Sequence, residues 1–185
     1  MKIRREKYIL AIQDFLDYSK KSILVLDGPR FAGKSTLLNH VYTSDMRTGK
    51  KYYYSFDEEI GSKQFRDAHD FMQYVQIKYG VDFHSPGLLL LNEIQYSKNI
   101  GTILHDLLKK EKVKIKIIAT SISQGEYKKF LQLREDDYEI ITVHTLSFLE
   151  FLAYKGFHTN YIDPYKFSPI LAHEIQPLLQ EFVNR

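Results

Sequence analysis

There is no cysteine among the 185 residues, which excludes disulfides and thiolate metal sites and suits a reducing compartment. Long apolar runs are missing as well: none approaches the roughly 18 residues of a membrane span. The basic start, Met1 to Lys7, leads into a segment that Gln13 and Asp14 interrupt, so it lacks a signal-peptide core. The expectation is a soluble, unexported, cytoplasmic protein with no membrane partner. Neither sign of charge dominates, because 26 basic and 23 acidic residues leave a net +3, too even to argue for nucleic acid. In the densest basic run, Lys112, Lys114 and Lys116 alternate with Val113, Ile115 and Ile117 after Lys109 and Lys110, which reads as a strand entered from a solvated helix end. The seven histidines offer no metal spacing: His173-Glu174 has no second histidine three residues on, so a zinc-protease site fails. There is no ordered serine, histidine and acid set for acyl transfer, and no internal repeat, low-complexity tract or linker.

What is present is an ordinary globular composition, 44% hydrophobic and 26% charged, long enough for one core. The organising stretch is Gly28 to Thr36, GPRFAGKST, which fits the phosphate-loop pattern G-x-x-x-x-G-K-[ST]. Glycines let successive backbone N–H groups turn in around an anion. Lys34 can reach the β and γ phosphates, and the Ser35 hydroxyl can ligate Mg²⁺. The candidate nucleotide-binding set is Gly28, Arg30, Ala32, Gly33, Lys34, Ser35 and Thr36. An apolar strand, Ser22 to Leu26, precedes the loop, and Leu37, Leu38 and Val41 at helical spacing follow it.

Around this unit, strands are expected at 50–57, 88–91, 113–119 and 138–143. Helices are expected at 6–19, 65–79 and 99–110, with a short one over Tyr127 to Leu133. Ser147 and Glu150 have capping-box spacing, and Ser168-Pro169 opens a last helix that Pro177 should bend or split. Five strands alternating with helices predict an α/β protein: a P-loop NTPase fold with a mostly parallel five-stranded sheet flanked by helices and a helical tail. Residues 1–160 form the expected core and 161–185 the tail.

Leu88 to Glu93, LLLLNE, is an apolar strand ending at Asn92-Glu93, where such proteins hold Mg²⁺ and orient the attacking water. Glu93 is the candidate catalytic acid. Asn92 and Ser35 are the candidate metal-side residues. An aspartate at 92 would add charge near the ion, whereas asparagine keeps an acceptor oxygen without it, so Asn92→Asp is expected to raise turnover. Thr120, with Ser121 beside it, ends the strand VKIKIIA and is the candidate γ-phosphate sensor. Asp57, Glu58 and Glu59 read more readily as a solvated loop than as a ligand-facing cluster, and Arg134 as a surface arginine.

GPRFAGKSTLL, LLLLNEIQY, IIATSIS and HTLSFLEFL together resemble the prokaryotic AAA-type ATPases that carry a second domain after the ATPase core. HTLSFLEFL, similar to the family pattern P-L-S-F-x-E-F-L, is the most discriminating of them. The resemblance implies that Gly33, Lys34, Ser35 and Thr36 bind ATP and Mg²⁺, that Glu93 is the catalytic acid, and that Thr120 or Ser121 is the sensor. The chain departs from the family at Asn92, at His144 and Thr145 where prolines are common, and in lacking the G-R pair ahead of the fifth strand. Arg134 lies out of register, so an arginine-finger role does not carry over. The resemblance also implies a second domain beyond the core, of which residues 161–185 are expected to be at most the start. The reading is a slow MgATP hydrolase that switches an attached domain or protein partner. A non-hydrolysing nucleotide switch and a small-molecule kinase are the competing readings.

Overall fold

The computed structural model describes residues 5–44, 49–57, 64–111, 113–122, 136–156 and 169–183. The expected short helix at Tyr127 to Leu133, together with Glu58, Glu59, Arg134 and Ser168, lies outside these residues. Two compact units are present: Glu6–Thr145, and Met1–Arg5 with Leu146–Arg185.

The larger unit runs α1 (Glu6–Tyr18), β1 (Ile23–Asp27), α2 (Lys34–Thr43), β2 (Lys50–Ser55), α3 (Ala68–Tyr79), β3 (Gly87–Asn92), a 3₁₀ turn (Ile94–Tyr96), α4 (Ile100–Lys109), β4 (Lys116–Ser121) and β5 (Tyr138–Thr142). The strands form one parallel sheet in the order β2-β3-β4-β1-β5. The α/β reading from sequence is met. A parallel sheet with helices on both faces needs strands apolar on both sides, and Leu88, Leu89, Leu90 and Leu91 supply that. Alternate strand residues feed two cores. Leu89, Leu91, Ile117 and Ala119 pack with Phe71, Val75, Ile103 and Leu107 from α3 and α4. Leu88, Leu90, Leu24 and Ile118 pack with Ile12, Leu16, Leu38 and Val41 from α1 and α2. Because β1 connects to β2 on one side while β5 lies on its other side, the carboxyl end of β1 is the point where the sheet order reverses, the position where such sheets open a crevice.

Two strands are shorter than their apolar patterns. β2 stops at Ser55 and leaves Asp57 beyond the strand, and β4 starts at Lys116 because the Lys114 N–H turns aside to the Phe83 carbonyl at 2.9 Å. Lys116 lies at the start of that strand, as its alternation with apolar residues predicts. Its Nζ donates to the carbonyls of Phe15, Leu16 and Ser19 at 2.8, 3.1 and 2.9 Å, closing the carboxyl end of α1.

In the smaller unit, α5 (Phe148–Tyr154) begins with the capping box expected from the sequence: Ser147 and Glu150 exchange side-chain and backbone bonds. The helix α6 (Pro169–Val183) continues through Pro177 instead of dividing there. Contacts beyond the proline hold its second half: Phe182 lies 5.5 Å from Phe148 and 5.4 Å from Phe151 between ring centroids, and Glu181 pairs with Lys155 at 2.8 Å. Among the described residues no helix is long and apolar enough to cross a membrane.

Candidate functional site

The loop after β1 has the backbone that its glycines permit. Gly28 sits at φ +155°, its N–H bonded to the Ser121 carbonyl of β4 at 3.2 Å. A Cβ there would lie 2.1 Å from the Val143 carbonyl oxygen, so only glycine fits. Gly33 at φ +85° turns the chain into α2, whose first residues Lys34, Ser35 and Thr36 carry the unpaired N–H groups of a helix start. Lys34 is buried, and its Nζ donates to the carbonyls of Gly28 and Pro29 at 2.8 and 2.7 Å. Burial lowers its pKa below the usual lysine range. The nearby carboxylates of Glu93 and Asp27 oppose that shift, and Arg30 adds to it.

A second wall comes from the ends of β2, β3 and β4. Asn92, at the end of β3, accepts the Ser35 hydroxyl at 2.9 Å and the Thr120 hydroxyl at 2.9 Å on its Oδ1, and its Nδ2 donates to Ser55 Oγ at 2.9 Å. Ser55 in turn donates to Asp57. Thr120 also accepts the Glu93 N–H at 2.8 Å. That bond helps hold Glu93 in a left-handed conformation, φ 56° and ψ 51°, which costs a non-glycine residue on the order of 1–3 kcal/mol. The strained turn lifts the Glu93 side chain off the strand end, and Gln95 donates to one of its carboxylate oxygens.

The two walls enclose a cleft of about 490 Å³ lined by Lys34, Ser35, Thr36 and Glu93, with Arg30, Phe31, Gly33, Asp57 and Tyr96 completing it. Sequence reasoning thus named most of the lining. Ala32 belongs to the loop, but its side chain packs in the α1–α2 core. Thr120 and Asn92 stand behind the cleft wall. Thr120 is fully buried with its hydroxyl engaged on both sides, by Asn92 and by the Glu93 N–H. Ser121 is buried, and its carbonyl supports Gly28. Arg30 reaches across the cleft to the Tyr96 hydroxyl at 2.7 Å. Asp57, read from the sequence as solvated loop, faces this cleft. Ser55 and Tyr96 went unnoticed. Ser55 closes the aromatic strand KKYYYS and is brought beside Asn92 by the strand register.

The donor set suits a hard divalent cation. Ser35, Asp57 and Glu93 line the cleft with side-chain oxygens only, as Mg²⁺ requires, and Asn92 stands behind Ser35 as the acceptor of its hydroxyl.

A family model described as an AAA domain matches residues 20–152, a span that includes the loop, Asn92-Glu93, Thr120 and the LSFLEFL segment. An uncharacterized protein of Methanocaldococcus jannaschii is 30% identical over 129 residues, which is 67% of this chain and 25% of the relative, so the chain spans a quarter of that protein's length.

Proposed function

The chain belongs to the AAA domain family and carries a nucleotide-binding, ATPase-like core, and from that premise we propose that it binds MgATP and hydrolyses it slowly. The observation that carries this reading is the convergence of Lys34, Ser35 and Glu93 on one cleft. Backbone N–H groups at the start of α2 bind the phosphates, and the Lys34 ammonium exchanges its two carbonyl partners for β and γ oxygens. Ser35 and, through it, Asn92 hold the metal side, where Mg²⁺ would neutralise charge on the phosphate oxygens. Glu93 accepts a hydrogen bond from water and aligns it with the γ phosphorus, while Gln95 fixes the carboxylate's orientation. In this reading residues 1–160 act as the core, and the nucleotide state switches an attached domain or a protein partner.

Nucleotide binding and phosphate release test it. Lys34→Ala is expected to abolish binding, and Glu93→Gln to spare binding while removing turnover. Equal release rates in wild type and Glu93→Gln would refute the catalytic assignment. A second reading, a switch that binds without hydrolysing, is favoured by the neutral amide at Asn92, and absence of phosphate release from bound ATP would establish it.

A further inference from the structure

We infer that Asp57 carries the negative charge that position 92 lacks, and that it reaches the metal-facing hydroxyl of Ser35 through Ser55 and Asn92. The inference rests on the MgATP reading above. Its ground is the direction of one hydrogen-bond chain. The Glu93 N–H occupies the acceptor side of Thr120, so the Thr120 hydroxyl proton points to Asn92 Oδ1. With its oxygen engaged by Thr120 and Ser35, the amide turns its Nδ2 toward Ser55, whose own proton then goes to Asp57. Every proton along the path points toward the Asp57 carboxylate. Bonds aligned head to tail polarise one another, so a charge at the end strengthens the acceptor character of Asn92 Oδ1 against Ser35.

The register makes the arrangement specific. Ser55 lies directly beside Asn92 on the neighbouring parallel strand, and Asp57 follows two residues later, where β2 has ended and the chain turns into the cleft. An aspartate at 92 would break this order. It has no N–H to give, so it would take the Ser55 proton for itself, and a single hydroxyl would separate two carboxylates. Asparagine at 92 and aspartate at 57 are therefore two halves of one solution: the carboxylate that would stand behind Ser35 is moved from position 92 to just past the end of the adjacent strand. On this view Asn92→Asp alone does not bring the gain that its chemistry suggests in isolation.

The test is the Mg²⁺ dependence of binding, measured as the ratio of affinities for a fluorescent ATP analogue with Mg²⁺ and with a chelator. Removing a carboxylate beside a triphosphate does not weaken metal-free binding, so a loss confined to the Mg²⁺ arm marks a metal-side role. Asp57→Asn is expected to lower the ratio on the order of 10-fold, the effect usual for a residue that orients a metal ligand. Ser55→Ala should lower it too. Asn92→Asp alone should not raise it, and Asn92→Asp combined with Asp57→Asn should restore it toward wild type. A wild-type ratio in folded Asp57→Asn, or a raised ratio in Asn92→Asp alone, overturns the inference while leaving the nucleotide reading intact. If Asp57→Asn does not fold, as judged by circular dichroism, the Asn92→Asp result decides. Binding that survives Lys34→Ala overturns the nucleotide reading itself.

Discussion

Thr120 gives its hydroxyl proton to Asn92 Oδ1 at 2.9 Å while receiving the Glu93 N–H at 2.8 Å. One buried hydroxyl on β4 therefore fixes both the amide behind Ser35 and the backbone of the candidate catalytic acid. Thr120→Val keeps the shape and removes both bonds. With the Glu93 N–H and Asn92 Oδ1 each losing a partner, denaturant unfolding should show a loss of about 1–3 kcal/mol. Phosphate release should fall as well, because Glu93 loses the bond that holds its left-handed turn. Thr120→Ser retains the hydroxyl and should recover most of both, which separates the hydroxyl's role from packing.

Lys116 closes the carboxyl end of α1 with three bonds to backbone carbonyls, and its ammonium also lies 4.6 Å from the centre of the Phe15 ring. Lys116→Met preserves the aliphatic stem and leaves those carbonyls without their charged donor. Hydrogen bonds from charged groups are each worth about 1.5–3 kcal/mol, but the substitution leaves neutral acceptors that water can partly serve. The expected loss is about 2 kcal/mol in thermal or denaturant unfolding, with nucleotide affinity little changed because α1 lies away from the cleft lining.

These two positions show where the sequence was readable. Periodicity revealed the strands and helices because a parallel sheet covered on both faces leaves a strong apolar signal, as in Leu88 to Leu91. The loop was readable because its glycines are sterically required. Lys116 lies in a strand and Asp57 on an exposed loop, as their patterns suggested, but what each one meets was not legible, because a charged residue among charged residues carries no sign of its partner. The carbonyls that Lys116 meets lie about a hundred positions earlier, and Asp57 enters the cleft only because β2 ends at Ser55. Asn92 was singled out from the sequence, as a deficit. That its Nδ2 has a partner depends on a strand register no local pattern contains.

The capping box of α5 carries a pH dependence whose sign follows from Glu150. Burial pushes its carboxyl upward, but the Ser147 backbone N–H, the Arg5 guanidinium at 3.1 Å and the Ser147 side chain together outweigh burial and hold it below the ordinary 4.5. A carboxyl whose folded value is depressed contributes stability that is fully present above its unfolded value. The contribution is lost as pH falls through the lower, folded value. Thermal unfolding from neutral pH down past 4.5 should therefore fall more steeply in wild type than in Glu150→Gln, the two curves converging in acid.

Gly28 and Gly80 both adopt positive φ, +155° and +68°, yet their surroundings set different costs for a side chain. At Gly80, which ends α3, a Cβ meets nothing within 4 Å, so Gly80→Ala meets only the left-handed backbone penalty, about 1–2 kcal/mol. At Gly28 the same methyl would lie 2.1 Å from the backbone oxygen of Val143, and Val143 is itself anchored through its N–H to the Asp27 carbonyl at 2.7 Å. Neither side can yield without separating the loop from the end of β5. Gly28→Ala should therefore cost about 3–5 kcal/mol, in the range reserved for direct steric conflict in a packed interior. Because the displaced backbone also carries the carbonyl that Lys34 contacts, the variant should lose nucleotide binding at temperatures where circular dichroism still reports a folded sheet. Gly80→Ala should keep that binding unchanged.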